Sequence, residues 1–252
     1  HTGGIARVRA LEADVTALCR QCGVSDAIAR VLTARGIGAM DAAQFLQPTL
    51  RDLLPDPSLL ADMDTAADRI VRAIAAGERI AVFGDYDVDG ATSSALLHRF
   101  FRAVGAEVVV YIPDRMKEGY GPNAPALLKL RGDGAAVAIT VDCGISAFAP
   151  LAEARAAGLD VIVIDHHKAE PALPEAAAIV NPNRLDDSSG LGHLAAVGVA
   201  FLLAVAVNRA LRKRGWYSAR PEPDLRQWLD IVALGTVCDV VPLKGLNRAF
   251  VV

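Results

Sequence analysis

The protein has 252 residues, of which 53% are hydrophobic and 5% aromatic, and its formal net charge is −3. This length is enough for one large α/β domain, or for one domain with a small appendage. The charge excludes a protein that is cationic as a whole, so any contact with nucleic acid must come from a local basic patch. No apolar run reaches the roughly 18 residues of a membrane span and no signal peptide precedes the fold, so we expect a cytoplasmic protein that does not bind membranes.

Residues 1–75 are predicted to form a helical N-terminal region. The segment VSDAIARVLTARGIG has apolar residues at helical spacing, with Ser25 or Asp26 as its start and Gly36 as its stop. Two prolines in LLPDPSLL interrupt the helical pattern, and DTAADRIVRAIAAGE resumes it. Because this region contains no nucleotide-binding or metal-binding motif, we interpret it as a helical cap or linker.

From residue 76 onward the pattern predicts an α/β domain with a parallel β-sheet flanked by helices. Short β-rich segments alternate with helical ones, and the β-rich segments are continuous apolar runs, as strands buried on both faces require. The predicted strands are RIAVFG, EVVVYI, AVAITVD, DVIVID and AAIVN. Helices are predicted over residues 91–104, 124–130, 146–157, 195–213 and 224–234. The α/β domain is therefore expected to cover residues 76–252.

Acidic residues and histidines follow several of these apolar runs. Ligands of an open parallel sheet bind beyond the carboxyl ends of its strands, so the topology should bring these side chains to one edge. They are Asp85, Asp87 and Asp89 in FGDYDVDG, Asp142 in TVDCGIS, Asp165, His166 and His167 in VIDHHK, and Asp239 in LGTVCDVVPL. Since alternate positions of an extended segment share a side, the first three aspartates should reach toward one region.

Carboxylates packed this closely repel one another, and a divalent cation is the usual compensation. Oxygen ligands combined with imidazole suit Mn²⁺ or Mg²⁺ better than structural Zn²⁺. The set is large enough for two metals that share a bridging ligand and activate water near a phosphoester. Gly90 fits a turn where the backbone passes close to metal or phosphate, and the helix that begins at GATSSALL can hold an anion at its N-terminus.

Each motif also has a simpler explanation when it is taken alone. A single aspartate after a strand commonly caps a helix, DYDVDG resembles part of a calcium loop, and DHH could lie in a surface loop. The later acidic ligand of a calcium loop is missing at the right distance, and the convergence of all motifs on one edge favours a shared metal site. His98 lies within a predicted helix, and a buried, hydrogen-bonded residue is favoured for His193. Cys19 and Cys22 form a lone CxxC, so two reduced cysteines one helical turn apart are favoured over a zinc site.

Several motifs in one order carry a family resemblance. DYDVDG, YIPDRMKEGYGPN, TVDCGIS, VIDHHK, NPNR and LGTVCDVVPL resemble the DHH phosphoesterase superfamily, and within it the RecJ family of single-strand-specific 5′→3′ DNA exonucleases. Other branches of the superfamily carry His and Asn-Pro before the paired aspartates, where this sequence reads FGDY. The resemblance implies a metal-dependent phosphodiesterase that degrades single-stranded DNA to mononucleotides in DNA repair and recombination. It also implies single-strand-binding protein and a helicase as partners.

The resemblance further implies how the ligands divide between two metals. Asp87 and Asp89 would each bind one cation, and Asp142 would bridge both. His166 would join the metal of Asp89, and Asp239 would join the metal of Asp87. The residues alone supply only the set and its shared edge, so this division depends on the resemblance.

Other residues of the same edge would act around the metals. By resemblance, His167 would face the scissile phosphate as hydrogen-bond donor or general acid. Asp85 would be a weak ligand, or it would contact the ligands without binding metal itself. Asp165 would have the second of these roles. Basic and aromatic residues in loops of this edge are candidates for contacts with substrate phosphates and bases. They are Arg115, Lys117, Tyr120, Lys168 and Arg184.

The sequence departs from full-length members of that family. Their second catalytic-module domain, with its glycine-rich substrate-binding motif, and their oligonucleotide-binding fold are not found in it. The sequence begins at His1 rather than at methionine and ends in the apolar residues AFVV, so we expect native sequence to continue beyond Val252. Two alternatives to the exonuclease stay open: a phosphoesterase for oligonucleotides, cyclic dinucleotides or pyrophosphate, and a non-catalytic scaffold. The complete set of ligand residues disfavours the scaffold.

Overall fold

The computed structural model describes the backbone of residues 2–252 and the side chains of residues 12–252. Contacts divide the chain into two units: one holds the residues before Pro55 together with Lys244–Phe250, and the other holds Pro55–Leu243. The boundary therefore lies earlier than the predicted one at residue 75. The helix that precedes residue 77 belongs to the second unit because its buried face packs against the sheet and a long helix there.

Helices and strands alternate through the second unit, as predicted. The helices are α1 (Thr2–Cys22), α2 (Asp26–Ala34), α3 (Ala39–Leu46), α4 (Leu50–Leu53), α5 (Met63–Ala76), α6 (Val88–Ala103), α7 (Arg115–Glu118), α8 (Ala124–Gly132), α9 (Phe148–Ala156), α10 (Ala196–Lys213), α11 (Leu229–Cys238) and α12 (Gly245–Val251). The strands are β1 (Arg79–Gly84), β2 (Val108–Tyr111), β3 (Ala135–Val141), β4 (Asp160–Ile164) and β5 (Ala178–Val180). Within the part of the chain that the structure describes, no helix has the length and apolar character of a membrane span.

The first unit is helical. Its helices α1, α2 and α3 pack around a small apolar core formed by Val15, Leu18, Ala29, Leu32 and Ala42. Ser25 starts α2, as predicted, by accepting a hydrogen bond from the backbone nitrogen of Ile28. Cys19 and Cys22 lie one turn apart on α1 as free thiols, and the Cys22 Sγ donates to the carbonyl oxygen of Ala39 at 3.5 Å.

The second unit is built on a five-stranded, all-parallel sheet with the order β2-β1-β3-β4-β5. Helices α5, α6 and α10 pack against one face, and α8 and α9 pack against the other. Because both faces are covered, β1, β3, β4 and β5 are mostly apolar runs with buried side chains on both sides, whereas Val109 and Val110 of the edge strand β2 are exposed. The predicted α/β fold with a parallel sheet is confirmed.

The strand order reverses between β1 and β3. β2 lies on one side of β1, and all later strands lie on the other side. The crevice outside the carboxyl ends at such a reversal is where open α/β sheets bind ligands. Gly84 of β1 is paired with Val141 of β3, which is paired with Ile164 of β4, so the three central strands end level with one another.

Candidate metal centre

Three carboxylates emerge side by side from the level ends of β1, β3 and β4. The backbone nitrogens of Asp85, Asp142 and Asp165 each donate to a carbonyl of the neighbouring strand at 3.0–3.2 Å, so the hydrogen-bond ladder continues one residue past the strands. Asp142 then adopts φ +60°, a left-handed conformation that few residues other than glycine and the Asn/Asp pair adopt readily. The chain therefore turns sharply at the reversal point of the sheet.

Asp87 and Asp89 are held by a helix start rather than by an extended segment. α6 begins at Val88 instead of residue 91, and Asp87 caps it by accepting a hydrogen bond from the nitrogen of Gly90 at 2.9 Å. Asp89 lies in the first turn of the helix. The prediction that Asp85, Asp87 and Asp89 alternate along an extended segment is wrong, because the helix begins as soon as Asp87 can cap it.

Gly90 lets α6 begin this close to β1. A Cβ atom at Gly90 would lie 2.5 Å from the backbone oxygen of Asp85. The close approach that requires glycine is therefore to the backbone of Asp85, and not to metal or phosphate as the sequence suggested. Since Asp85 and the first turn of α6 both carry ligand candidates, this contact sets the spacing between them.

Replacing Gly90 with alanine is expected to destabilise the second unit by about 1–3 kcal/mol, because the new methyl group overlaps backbone atoms. Gly132→Ala is the matched control, since a Cβ there meets nothing within 4 Å near the end of α8. That control should be neutral or stabilise by up to about 1 kcal/mol. Urea denaturation of the metal-free protein compares the two variants, and equal free energies of unfolding would contradict the close-contact explanation.

Asp89 binds the N-terminus of α10. The residue is 1% exposed, and its carboxylate accepts hydrogen bonds from the backbone nitrogens of Ala196 at 2.6 Å and Val197 at 2.8 Å. Burial raises the pKa of Asp89 to about 6, against the opposing effect of these two amide bonds. The free amides and the dipole of a helix N-terminus favour the ionised carboxylate. Asp89 is therefore anchored in one orientation.

His166 places its Nε2 among three carboxylates. Its Nδ1 lies 3.1 Å from the carbonyl oxygen of Leu194, which can only accept, so Nδ1 carries the proton and a neutral ring keeps its lone pair on Nε2. Nε2 lies 3.2 Å from Asp142 and 3.8 Å from both Asp89 and Asp239. Burial lowers the pKa of His166, but the contact with Asp142 and the three negative charges outweigh burial and raise it to about 9.

Asp165 orients His167. Its buried carboxylate accepts from the His167 Nδ1 at 2.7 Å, from the backbone nitrogens of both histidines, and from the nitrogen of Ile145 at 3.0 Å. Burial raises the pKa of Asp165, but the hydrogen bonds and charge of His167 outweigh burial and leave the pKa lowered. The same hydrogen bond raises the pKa of His167. Because Nδ1 is engaged, Nε2 is the nitrogen that is left for a metal or a substrate.

The ligand atoms form three overlapping clusters, in each of which all atoms lie within 4.8 Å of one another. We call the first the Asp87 cluster (Asp85, Asp87 and Asp142) and the second the Asp89 cluster (Asp89, His166 and Asp239). The third joins Asp142, His166 and His167. Asp142 and His166 each belong to two clusters, so they connect the site.

One of these placements differs from those implied by the resemblance. Asp85 does not differ, because its carboxylate oxygen lies within 4.8 Å of those of Asp87 and Asp142, which fits a weak ligand. Asp239, at the end of α11, groups with Asp89 and His166 rather than with Asp87. The cause is the course of α11, which packs along α6 and ends beside the first turn of that helix.

Four buried atoms of these clusters have no hydrogen-bond partner among the described residues: Asp85 Oδ1, Asp142 Oδ1, His166 Nε2 and Asp239 Oδ2. A buried polar atom without a partner costs about 1–3 kcal/mol. Burial and the charges of Asp89 and Asp87 also raise the pKa of Asp142, despite the opposing effect of His166. When the His166 ring is neutral, the lone pairs of these carboxylates and of the imidazole converge without a donor to satisfy them, and this set of donor atoms fits divalent cations such as Mn²⁺ or Mg²⁺.

Comparison with known proteins decides the family. The family model described as "DHH family, N-terminal domain" matches residues 79–236. The chain belongs to the DHH family. It is 40% identical over 245 residues to the single-stranded-DNA-specific exonuclease RecJ of Salmonella typhimurium, and 37% identical over 232 residues to that of Thermus thermophilus. These matches cover 96% and 88% of this chain but only 42% and 32% of the relatives, so the chain spans less than half of their length.

Solved structures share the fold of this DHH domain. The structure of RecJ from Thermus thermophilus in complex with Mn²⁺ matches with a TM-score of 0.74 at 32% identity, over 94% of this chain and 32% of that one. A structure of exonuclease RecJ bound to manganese matches with a TM-score of 0.66 at 38% identity, over 76% of this chain and 46% of that one. The parallel sheet with helices on both faces is thus the architecture of the DHH domain.

Four of the five predicted substrate-binding residues lie on the surface of the DHH domain. The guanidinium of Arg115 lies 5.0 Å from the centre of the Tyr86 ring. Tyr120 is 57% exposed and meets the rings of Tyr86 at 6.4 Å and His167 at 6.5 Å edge-on. Tyr86 was not predicted as a site residue. The other two surface residues are Lys117 and Lys168.

Arg184 is instead buried among structural partners. Its Nη1 donates to Asp62 at 2.7 Å and to the carbonyl oxygen of Ile179, while Nε and Nη2 pair with the two oxygens of Asp186 at 2.9 and 2.7 Å. The guanidinium is fully engaged by these groups. The structure therefore does not support a phosphate contact for Arg184, and it assigns the residue to tying the loop after β5 to the start of α5.

Two asparagines that sequence reasoning missed hold the backbone of the DHH motif. The Nδ2 of Asn181 donates to the carbonyl of His167 at 2.9 Å, and the Nδ2 of Asn183 donates to the carbonyl of His166. The Oδ1 of Asn181 accepts from the backbone nitrogen of Asn183 at 2.8 Å, which couples the two. The sequence signal for these two residues is the pair of asparagines in NPNR.

The two remaining histidines of the DHH domain are not part of the site. His98 lies on α6, as predicted. His193 is partly buried in the segment that precedes α10. Neither residue belongs to a metal-ligand cluster formed by the described residues.

Proposed function

We propose that the protein is a two-metal phosphodiesterase, and specifically a 5′→3′ exonuclease that degrades single-stranded DNA to mononucleotides in DNA repair and recombination. The observation that carries this proposal is the convergence of the Asp87 and Asp89 clusters at the reversal point of the sheet. The choice of substrate is supported by relatives named single-stranded-DNA-specific exonucleases, which are 37–41% identical over most of this chain.

Two divalent cations, Mn²⁺ or Mg²⁺, fit the donor atoms of the site. The Asp87 cluster would hold one, the Asp89 cluster would hold the other, and Asp142 would bridge them. Structures of RecJ from Thermus thermophilus in complex with Mn²⁺ and with Mg²⁺ support this choice of metal. When bound, the cations would supply a water of lowered pKa and stabilise the charge of the phosphoryl transition state.

The side chains of the chain itself would position the substrate. His167, oriented by Asp165 through Nδ1, would offer Nε2–H to the scissile phosphate as hydrogen-bond donor or general acid. Its raised pKa favours the protonated ring that such a role needs. Arg115 and Lys117 would pair with phosphates of the strand, and Tyr120 would stack on a base.

Single-strand-binding protein and a helicase are the partners that the family resemblance implies. Since the proposed substrate is cellular DNA, the place of action would be the cytoplasm. Co-purification of these two proteins with the full-length protein, repeated after nuclease treatment to remove DNA bridges, tests both partners directly.

Neutralising Arg115 and Lys117 as Arg115→Gln and Lys117→Gln is expected to weaken single-strand binding. It should also reduce the slope of log K against log salt by about 0.7 for each phosphate that no longer has a cationic partner. Arg184→Gln should leave this slope unchanged and instead lower the free energy of unfolding by about 2 kcal/mol, because Asp62 and Asp186 lose their cation. Fluorescence anisotropy across a range of KCl concentrations and urea denaturation measure the two effects. If Arg184→Gln reduced the salt slope and left the free energy of unfolding unchanged, Arg184 would instead be a DNA-contacting residue.

Degradation assays on labelled substrates test the proposed function. With Mn²⁺, the full-length protein should shorten single strands from the 5′ end and release mononucleotides, leaving duplex DNA intact. Dinucleotides, a cyclic dinucleotide and pyrophosphate serve as the competing substrates. Faster turnover of any of these than of long single strands would favour the small-substrate phosphoesterase, and no turnover of any substrate would favour the scaffold.

A further inference from the structure

The segment of residues 112–123, between β2 and α8, borders the metal centre. The hydroxyl of Tyr120 approaches the carbonyl oxygen of Asp142 at 3.5 Å. Most of the segment is exposed, so apolar contacts contribute little to its position; its buried residues are Pro113, Gly121 and Pro122. Its position therefore depends largely on hydrogen bonds.

Glu118 ties this segment to the sheet. One carboxylate oxygen accepts from the hydroxyl of Tyr111 at 2.5 Å, and the other accepts from the backbone nitrogen of Asp114 at 2.8 Å. Tyr111 ends β2, and its ring stacks on the buried ring of Phe83 at 5.5 Å, with the Nζ of Lys129 5.7 Å from its centre. A single side chain thus connects a fixed aromatic residue of the sheet to the start of the segment.

The titration behaviour of the pair agrees with a charge-assisted hydrogen bond. The hydrogen bond to Glu118, together with burial, raises the pKa of Tyr111 to about 12. The same bond, followed by that from the nitrogen of Asp114, lowers the pKa of Glu118. Glu118 is therefore ionised at neutral pH, and the hydroxyl of Tyr111 donates a hydrogen bond to it.

Glu118 is close along the chain to Arg115 and Tyr120, two side chains of the segment that borders the metal centre. Arg115 lies in the same single helical turn as Glu118, and Tyr120 follows two residues later. Arg115 lies over Tyr86, and Tyr120 approaches Asp142. Because the turn is only four residues long, moving Glu118 moves both of these side chains.

We propose that Glu118 is a positioning residue that, through Tyr111, holds Arg115 and Tyr120 at the edge of the metal centre where the substrate strand enters. The inference rests on the proposed function for the identity of that substrate. The tether itself depends only on contacts within this chain, so it can be tested separately.

Hydrogen exchange measured by mass spectrometry tests the tether without any substrate. In Glu118→Ala, amides of residues 112–123 should exchange about tenfold faster, as expected when hydrogen bonds to a charged group are lost. Tyr111→Phe keeps the stacked ring and removes only the hydroxyl, so it should accelerate the same amides to a smaller extent. Glu153→Ala, an exposed glutamate on α9, is the matched control and should leave exchange in this segment unchanged.

Kinetics of the full-length protein test the consequence for substrate. Glu118→Ala should raise KM for single-stranded DNA about tenfold with kcat and Mn²⁺ affinity within about twofold, because only uniform binding is lost. Glu118→Gln, which keeps an acceptor oxygen, should restore part of the affinity.

Each outcome is decisive for one of the two claims. Unchanged exchange in both Glu118→Ala and Tyr111→Phe overturns the tether, and faster exchange with an unchanged KM overturns the positioning role. If the parent protein fails to degrade single-stranded DNA, the proposed function is wrong, while the exchange result still decides whether Glu118 holds the segment.

Discussion

In the Asp142→Asn variant, hydrolysis of single-stranded DNA is expected to fall on the order of 10⁴-fold, as it does when one member of a catalytic unit is removed. Asp142 is 1% exposed, belongs to the Asp87 cluster and lies 3.2 Å from the Nε2 of His166, a member of the Asp89 cluster, so the loss of this proposed bridge should weaken both metal positions. Asparagine tolerates the left-handed backbone at this position and matches the shape of aspartate, which isolates the effect of the charge. Turnover at saturating Mn²⁺ is the measurement.

Thermal denaturation separates this loss of ligands from misfolding. Without metal, Asp142→Asn should be more stable than the parent protein, because a buried carboxylate crowded by Asp89 and Asp87 has been neutralised. Added Mn²⁺ should raise the Tm of the parent strongly and that of the variant weakly. Asp133→Asn, at the exposed end of α8, is the matched control for removing one carboxylate. An active Asp142→Asn variant would contradict the assignment of Asp142 as the bridging ligand.

Mn²⁺ affinity is expected to rise with pH, and the stability of the metal-free protein is expected to fall. Folding raises the pKa of Asp89 from 3.8 to about 6 and that of His166 from 6.5 to about 9, and it also raises the pKa of Asp142. The folded metal-free state therefore binds more protons than the unfolded state, so the free energy of unfolding decreases as pH rises. Cations compete with these protons for the same lone pairs.

The pH window follows from these values. The contribution of Asp89 is lost between pH 3.8 and about 6, and that of His166 is present below pH 6.5 and is lost as pH rises through about 9. The metal-free protein should lose about 1–3 kcal/mol between pH 6 and 9. Calorimetric titration of Mn²⁺ in buffers of different ionisation enthalpy should show proton release near neutral pH. Binding without proton release would mean that His166 and Asp142 are not ligands.

The edge on which the site lies could be predicted from the sequence. Continuous apolar runs alternating with helices require a parallel sheet, and a parallel sheet brings the residues after its strands together. The shared edge of Asp85, Asp142 and Asp165 follows from this rule alone. The level ends of β1, β3 and β4, which set the exact neighbours of these residues, do not follow from it, because the strand order and the register are properties of the packed sheet.

Most positions that the sequence could not predict depend on tertiary partners. Asp87 is the exception, since its capping partner Gly90 is only three residues away, and α6 begins at this cap, earlier than its apolar pattern. Asp89 is anchored by amides 107 and 108 positions away along the chain. Arg184 is a charged residue in a predicted loop, where exposure is expected. It is buried because its guanidinium pairs with Asp62, which lies 122 positions earlier in the chain. No local pattern contains the partners of Asp89 and Arg184.

Counting bound Mn²⁺ by electron paramagnetic resonance tests the central claim most directly. Titration of the metal-free protein should show two Mn²⁺ ions per chain with a spin-coupled spectrum, because a bridging carboxylate holds two cations roughly 3.5–4 Å apart. The coupled signal should disappear in Asp142→Asn and persist in Asp133→Asn. A single uncoupled Mn²⁺ per chain, or a coupled pair that survives Asp142→Asn, would contradict a two-metal centre bridged by Asp142.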